Sequence, residues 1–467
     1  MSFNSILYLV FLPVVLLLYY NLQPARRMYM LLAASWLFYS VYNPWYMWVI
    51  LGTTGVDFIA GSRIAATDDL SRKKRWVVLS ITSNLGLLCF FKYTRFLASN
   101  FVGLASLFGC HLPEFTAHIA LPLGISFHTF QGVSYTIDVY RGRIRPVTSF
   151  AEFALFVSFF PQLVAGPIVR APEFIPQIDC RSEADSGEFR RGVGLLLYGM
   201  VKKVYVADVM AAFVNDAYAD PARVSGLGLA FATYAFTVQI YCDFSGYSDM
   251  AIGSALLFGI KLPQNFDRPY LATSIREFWQ RWHMTLSRWL RDYLYIPLGG
   301  SRLGARRTYV NVMVTMLLGG LWHGAGWNWI VWGGIQGGVM SVERATGLDR
   351  APASALGRFM RWFITLHIAW FSWIFFRSRS LTEAAMVVER IVRWQPGPLA
   401  ADARVIVYAG SALALVLVSD FFELKRRWLA LLEGRPTTVR WTAYAAVVVL
   451  ILTFTRASHP EFIYFAF

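Results

Sequence analysis

REFWQRWHMTLSRWLRDYLYIPLGG, residues 276–300, and LLGGLWHGAGWNW, residues 317–329, carry two of the seven histidines, His283 and His323, each directly after a tryptophan. In the first segment Trp279, Trp282, Leu286, Trp289, Leu290 and Tyr293 recur at spacings of three and four. That spacing predicts one amphipathic helix lying flat at the headgroup level, with His283 at the edge of its apolar stripe. The second segment follows Arg306, Arg307 and an apolar run from Tyr309 to Leu318. At 1.5 Å of rise per residue, His323 lies roughly 24 Å along a helix axis, deep in a hydrocarbon layer of about 30 Å. Gly319, Gly320, Gly324 and Gly326 predict a helix interrupted at that depth, which survives only where it lines a cavity or is buried in protein. Two readings of His323 fit. It is either a functional ionisable group beside the break or a buried histidine bonded to a neighbouring helix.

Around this stretch the chain is too apolar for a soluble protein of 467 residues, with 56% of them hydrophobic and 15% charged. It reads as an all-α polytopic integral membrane protein. The formal charge of +15 falls mostly between apolar runs, where Lys and Arg hold loops on the cytoplasmic side. Basic residues scattered among spans argue against nucleic acid as a partner and for membrane lipid. Cys89, Cys110, Cys180 and Cys242 form no C-x-x-C pair, so neither a metal site nor a disulfide framework is indicated.

Ile6 to Tyr20 reads as a retained span, lacking a basic flank and a cleavage pattern. Met28 to Ala60 predicts two helices turning at Asn43-Pro44. Trp76 to Phe91 is a further span, and one of Phe96 to Gly109 and Ile119 to Ile137 is expected to be re-entrant. Pro161, Gly166 and Pro167 bend or shorten the segment from Phe153 to Val169. Residues 177–191 read as a loop. Lys202 and Lys203 interrupt Val193 to Phe213, either snorkelling or marking a helix end. Leu227 to Ile260 is long enough for two passes with a turn near Asp243 to Gly246. Five later apolar runs bring the expected total to about eleven transmembrane helices.

FWQRWHMTLSRWLRDYLYIPLGG and LWHGAGWNWIVWG, together with SYTIDVYRG (134–142), FFPQLVAGPIVR (159–170), YCDFSGYSDMAIG (241–253), PQNFDRPY (263–270) and the closing EFIYFAF, resemble the membrane-bound O-acyltransferase family. Within it the likeness is to the bacterial polysaccharide O-acetyltransferase branch. The resemblance covers nearly the whole chain. It implies one membrane-embedded domain, residues 1–467 with a catalytic core of about 120–380, in which re-entrant and interfacial helices join the spans around a central tunnel. It further implies His323 as the catalytic residue, with His283 a second important one near a cytoplasmic entrance. The implied donor is acetyl-CoA, with no tightly bound cofactor. The implied acceptor is a periplasmic SGNH-hydrolase-like acetyltransferase or acetyl carrier, serving an exopolysaccharide synthase and secretion complex of alginate or cellulose type in the bacterial inner membrane.

A neutral imidazole suits this chemistry, because it takes the proton of a hydroxyl as that hydroxyl attacks an acyl thioester. No G-x-S-x-G elbow and no H-E-x-x-H is present, so a serine triad and a zinc mechanism lack support. Asn328 is the nearest amide to His323 and either orients a carbonyl or caps a helix end. Arg276, Arg281, Arg288 and Arg291 offer guanidinium groups to coenzyme phosphates or to lipid headgroups. Trp282 and Trp322 flank the two histidines as candidate substrate contacts. Asp243, Ser245 and Tyr247, with Asp249, either line the tunnel or pin two helices together. A transporter or channel without transferase chemistry is the competing reading, which the absence of an internal repeat disfavours.

Overall fold

A computed structural model describes residues 1–113, 115–116, 119–178, 184–400, 403–454 and 462–463; Cys180 lies outside them. The described residues are helical, with no strand among them. The chain divides into two compact units, Met1–Asp185 with Ala255–Leu262, and Ser186–Ser254 with Pro263–Phe467.

The first unit holds α1 (Ile6–Asn21), α2 (Pro24–Ser40), α3 (Tyr46–Ala65), α4 (Leu70–Leu88), α5 (Thr94–Leu107), α6 (Ile125–Tyr140), α7 (Phe150–Ser158), α8 (Phe160–Leu163) and α9 (Ala171–Phe174). α2 and α3 are separate helices joined by a turn that holds the Asn43-Pro44 pair, as expected. A π-helical turn at Cys89–Tyr93 joins α4 to α5, so Phe96 to Gly109 continues a 38-residue run, Leu70–Leu107, and is not re-entrant. The break falls instead before α6, at Gly124, whose φ of 73° and approach to the Leu163 carbonyl leave no room for a side chain. Three helices are tied by a buried polar cluster. Asp57 accepts from the Ser80 hydroxyl at 2.6 Å and from the Asn84 amide at 2.9 and 3.0 Å, and Ser80 also bonds Thr136 at 3.0 Å. Gly132 on α6 is required there, since a Cβ would fall 1.9 Å from the Asp57 carboxylate.

The second unit holds α10 (Ser186–Met200), α11 (Asp208–Ala219), α12 (Gly226–Leu256, its last two residues in the first unit), α13 (Ile275–Arg281), α14 (Met284–Leu290), α15 (Gly304–His323), α16 (Trp327–Thr346), α17 (Ala355–Arg377), α18 (Leu381–Val392), α19 (Ala403–Phe421), α20 (Leu424–Gly434) and α21 (Thr437–Phe454). Three expectations are corrected and a fourth in part, since the expected interruption beside His323 is present at Gly324–Gly326 but not at Gly319 or Gly320. Residues from Ser186 onward are helical and not loop. α12 is one continuous helix of 31 residues, with no turn at Asp243 to Gly246. The amphipathic segment is two seven-residue helices broken at Trp282-His283. α15 runs unbroken through Gly319 and Gly320 to His323.

Glycine has another use at that last place. A Cβ on Gly320 would stand 2.2 Å from the Trp329 carbonyl, and one on Gly333 2.2 Å from that of Met316. The glycines therefore let the backbones of α15 and α16 touch, as small residues do between membrane helices.

The protein is an all-α polytopic membrane protein. Among the described residues, Leu70–Leu107 and Ala355–Arg377 are long and apolar enough by themselves to cross a bilayer. Val405–Phe421 with Leu424–Leu432, bent by 71°, makes a third if the pair is one span, and Ile6–Asn21 and Thr437–Thr453 are shorter apolar helices.

Candidate active site

His323 ends α15 at 4% exposure, inside a box of rings. Trp322 lies at 4.9 Å, Trp332 at 5.2 Å and Phe376 at 5.4 Å, each roughly edge-on, and Trp329 stacks at 6.4 Å. The chain turns immediately after the imidazole at Gly324, where a Cβ would strike the Trp329 indole. Asn328 is the second residue of α16. Its amide donates to the carbonyls of Phe375 at 3.2 Å and Ser378 at 2.9 Å, tying the end of α17 to the start of α16.

His283 is fully buried at the break between α13 and α14, with φ at 41°. Its Nδ1 faces the side-chain oxygen of Asn265 at 3.1 Å, and Phe244 stands edge-on at 4.7 Å. This site lies between two short helices and outside the spanning ones. Burial pushes the imidazole pKa down, to about 3, so the ring is neutral. Trp322 is the common neighbour, with its ring 6.2 Å from His283 and 4.9 Å from His323. Trp282 is a core residue, packed among Phe266, Phe278 and Trp373 at 5.1 to 5.5 Å.

The short helix α13 is set in place by hydrogen bonds. Ser274 caps it by accepting from the Glu277 N–H at 3.0 Å. From α16, the buried Glu343 carboxylate accepts from the N–H groups of Ile275 at 2.6 Å and Arg276 at 3.2 Å. The Trp279 indole donates to Gln336 at 3.1 Å, whose amide donates on to Ser372 at 2.9 Å. Gln336 and Glu343 escaped the sequence reading. They share a face with Trp329 and Trp332 at steps of three, four and seven, which is the signal that marks them.

Beside α13 and α14 opens a cavity of about 590 Å³, mostly apolar but ringed by Arg276, Arg288, Arg291 and Arg344. An adjoining cavity of about 570 Å³ shares Arg276, Gln280 and Asp349 with it and adds Arg281, Arg350 and Arg358. Arg276 pairs with Asp349 at 2.7 Å and Arg291 with Asp292 at 2.7 Å. His323 is in the wall of neither of these two cavities. Trp279 is in the wall of the larger one, and Trp332, at 5.7 Å from Trp279 and 5.2 Å from His323, stands between.

Asp243 and Ser245 belong to a second polar system. Lys203, at 2% exposure, bridges Asp208 at 2.8 Å and Asp243 at 2.9 Å. Lys202 reaches Asp249 and Ser245, both at 3.1 Å, and Lys425 also pairs with Asp249. The lysines are thus held in buried pairs on a π-helical turn, Val201–Ala207, and do not snorkel. The second oxygen of Asp243 accepts from the Ile463 N–H at 2.9 Å, and Phe462 packs 4.4 Å from Tyr247.

A family model described as membrane-bound O-acyltransferase matches residues 143–386. The chain belongs to that family and is an O-acyltransferase of the membrane. It is similar to the probable alginate O-acetylase AlgI of Pseudomonas aeruginosa, 39% identical over 431 residues, 91% of this chain and 82% of that one. The corresponding protein of Pseudomonas putida is 35% identical over the full length of both. A peptidoglycan O-acetyltransferase of Helicobacter pylori is 37% identical over 84% of this chain and 79% of its own.

Proposed function

We propose that the chain supplies acetyl groups, through a periplasmic partner, for O-acetylation of a secreted polysaccharide of alginate type, drawing them from acetyl-CoA on the cytoplasmic side of the bacterial inner membrane. The observation that carries this reading is the pair of buried histidines on either side of Trp322, one indole away from an arginine-ringed cavity. Relatives named as alginate and peptidoglycan O-acetyltransferases support the acetyl group and the glycan destination.

In this reading Arg276, Arg288 and Arg291, with Arg281 in the adjoining cavity, receive the coenzyme phosphates, since guanidinium groups pair well with them. The acetyl-bearing arm extends past Trp279 and Trp332 towards His323. There an acceptor hydroxyl attacks the thioester carbonyl, a C–O bond forms and the C–S bond breaks. The imidazole takes the hydroxyl proton and returns it to the departing thiolate. The acceptor is a periplasmic SGNH-hydrolase-like partner that passes the acetyl group to the glycan. Asp243 and Asp249, neutralised by lysines, pin helices and stand outside the reacting group.

The test is release of acetyl from radiolabelled acetyl-CoA by the purified full-length protein in detergent. His323→Ala is expected to lose it while keeping the wild-type melting curve. Equal rates in the folded variant and wild type would reject the reading.

A further inference from the structure

Asn265 sits in the connection between α12 and α13, 1% exposed, and its side-chain oxygen is met by three groups. They are the Thr285 backbone N–H at 3.3 Å, the Thr285 hydroxyl at 2.9 Å and Nδ1 of His283 at 3.1 Å. A backbone N–H only donates, so the atom it meets must be the amide oxygen. That fixes which way the amide faces without appeal to the histidine. The amide nitrogen then points at the Ser248 hydroxyl, 3.2 Å away, where it donates.

The consequence for His283 follows from proton counting. An amide oxygen has only lone pairs to offer, so the ring nitrogen facing it carries a hydrogen. A neutral imidazole has one such hydrogen, which leaves the lone pair on Nε2. The Asn265 backbone carbonyl also accepts the Met284 N–H at 2.9 Å, so one residue holds both the turn and the ring. We infer that Asn265 is a positioning residue that locks His283 as the Nδ1–H tautomer, making His283 a proton acceptor through Nε2 and not a donor to a developing oxyanion. This rests on the acyl-transfer reading for its use in catalysis, but the tautomer itself does not.

The spectrum of protein labelled with ¹⁵N-histidine tests it directly, with the His283 signals identified by subtraction of His283→Gln. We expect Nδ1 protonated and Nε2 bare in the wild type. In Asn265→Leu the Nδ1–H population falls, with at least about a tenfold drop in kcat and little change in the KM for acetyl-CoA. Asn265→Asp, which keeps an acceptor at that place, restores the Nδ1–H signal. A wild-type proton on Nε2, or a spectrum unmoved in folded Asn265→Leu, overturns the inference. Failure of the acyl-transfer reading would show differently, as full activity in His323→Ala with the His283 spectrum unchanged.

Discussion

His283 and His323 share a tryptophan but are held by different physics. His283 occupies a left-handed break and is fixed by the hydrogen bond that its Nδ1–H donates to a single asparagine, so its surroundings specify where its proton sits. His323 closes a regular helix and is fixed by rings and by two glycines that let α15 and α16 meet, so its surroundings specify where its atoms sit. A hydrogen bond selects one protonation state, whereas ring packing selects a place and a dry environment.

The largest expected break in this comparison is at His323 itself. His323→Ala should cut acetyl release by about 10³-fold, and His283→Gln by clearly less, the usual span for a general base being about 10²–10⁴; equal losses would erase the distinction. Gly333→Ala attacks the packed histidine alone. Its new methyl meets the Met316 carbonyl, so we expect a loss of about 1–3 kcal/mol in detergent unfolding with the His283 nitrogen spectrum intact. Arg288→Gln sharpens the placement of the donor and should raise the KM for acetyl-CoA about tenfold with kcat nearly unchanged.

The smallest effect concerns acid and the hydrogen-bonded histidine. The His283 pKa is lowered from 6.5 to about 3 by burial, so its stabilising contribution is full above pH 6.5. It is lost as pH falls towards 3, because the unfolded chain takes up the proton first. Stability measured between pH 7 and pH 4 should therefore decline, and less steeply in His283→Gln.

Much of this was legible in the residues. Asn43-Pro44 located the turn between α2 and α3, and the tryptophan-histidine pairs located the centre. The breaks were misplaced for one reason: spacing reports which face is apolar, not where the backbone bends. Trp282-His283 keeps a helical rhythm across a left-handed residue, because the fold supplies Asn265 from another segment to satisfy the freed N–H groups. Gly319 and Gly320 suggest rupture in isolation, yet the partner that needs the bareness of Gly320, α16, lies beyond the turn. Lys202 and Lys203 look like a boundary until Asp208, Asp243 and Asp249 are brought to them. Asn265 was within a quoted motif, but its role depends on a contact 18 positions away.

The hydrogen bond from Ile463 to Asp243 closes a loop of 220 residues. At a synthesis rate of about 5–20 residues per second, on the order of ten seconds or more separates the two ends of that bond on the ribosome. Lys203 and Asp243 leave the ribosome well before Ile463, so until that residue is made the second carboxylate oxygen lacks this donor. An early-stopped product would keep that vacancy for good.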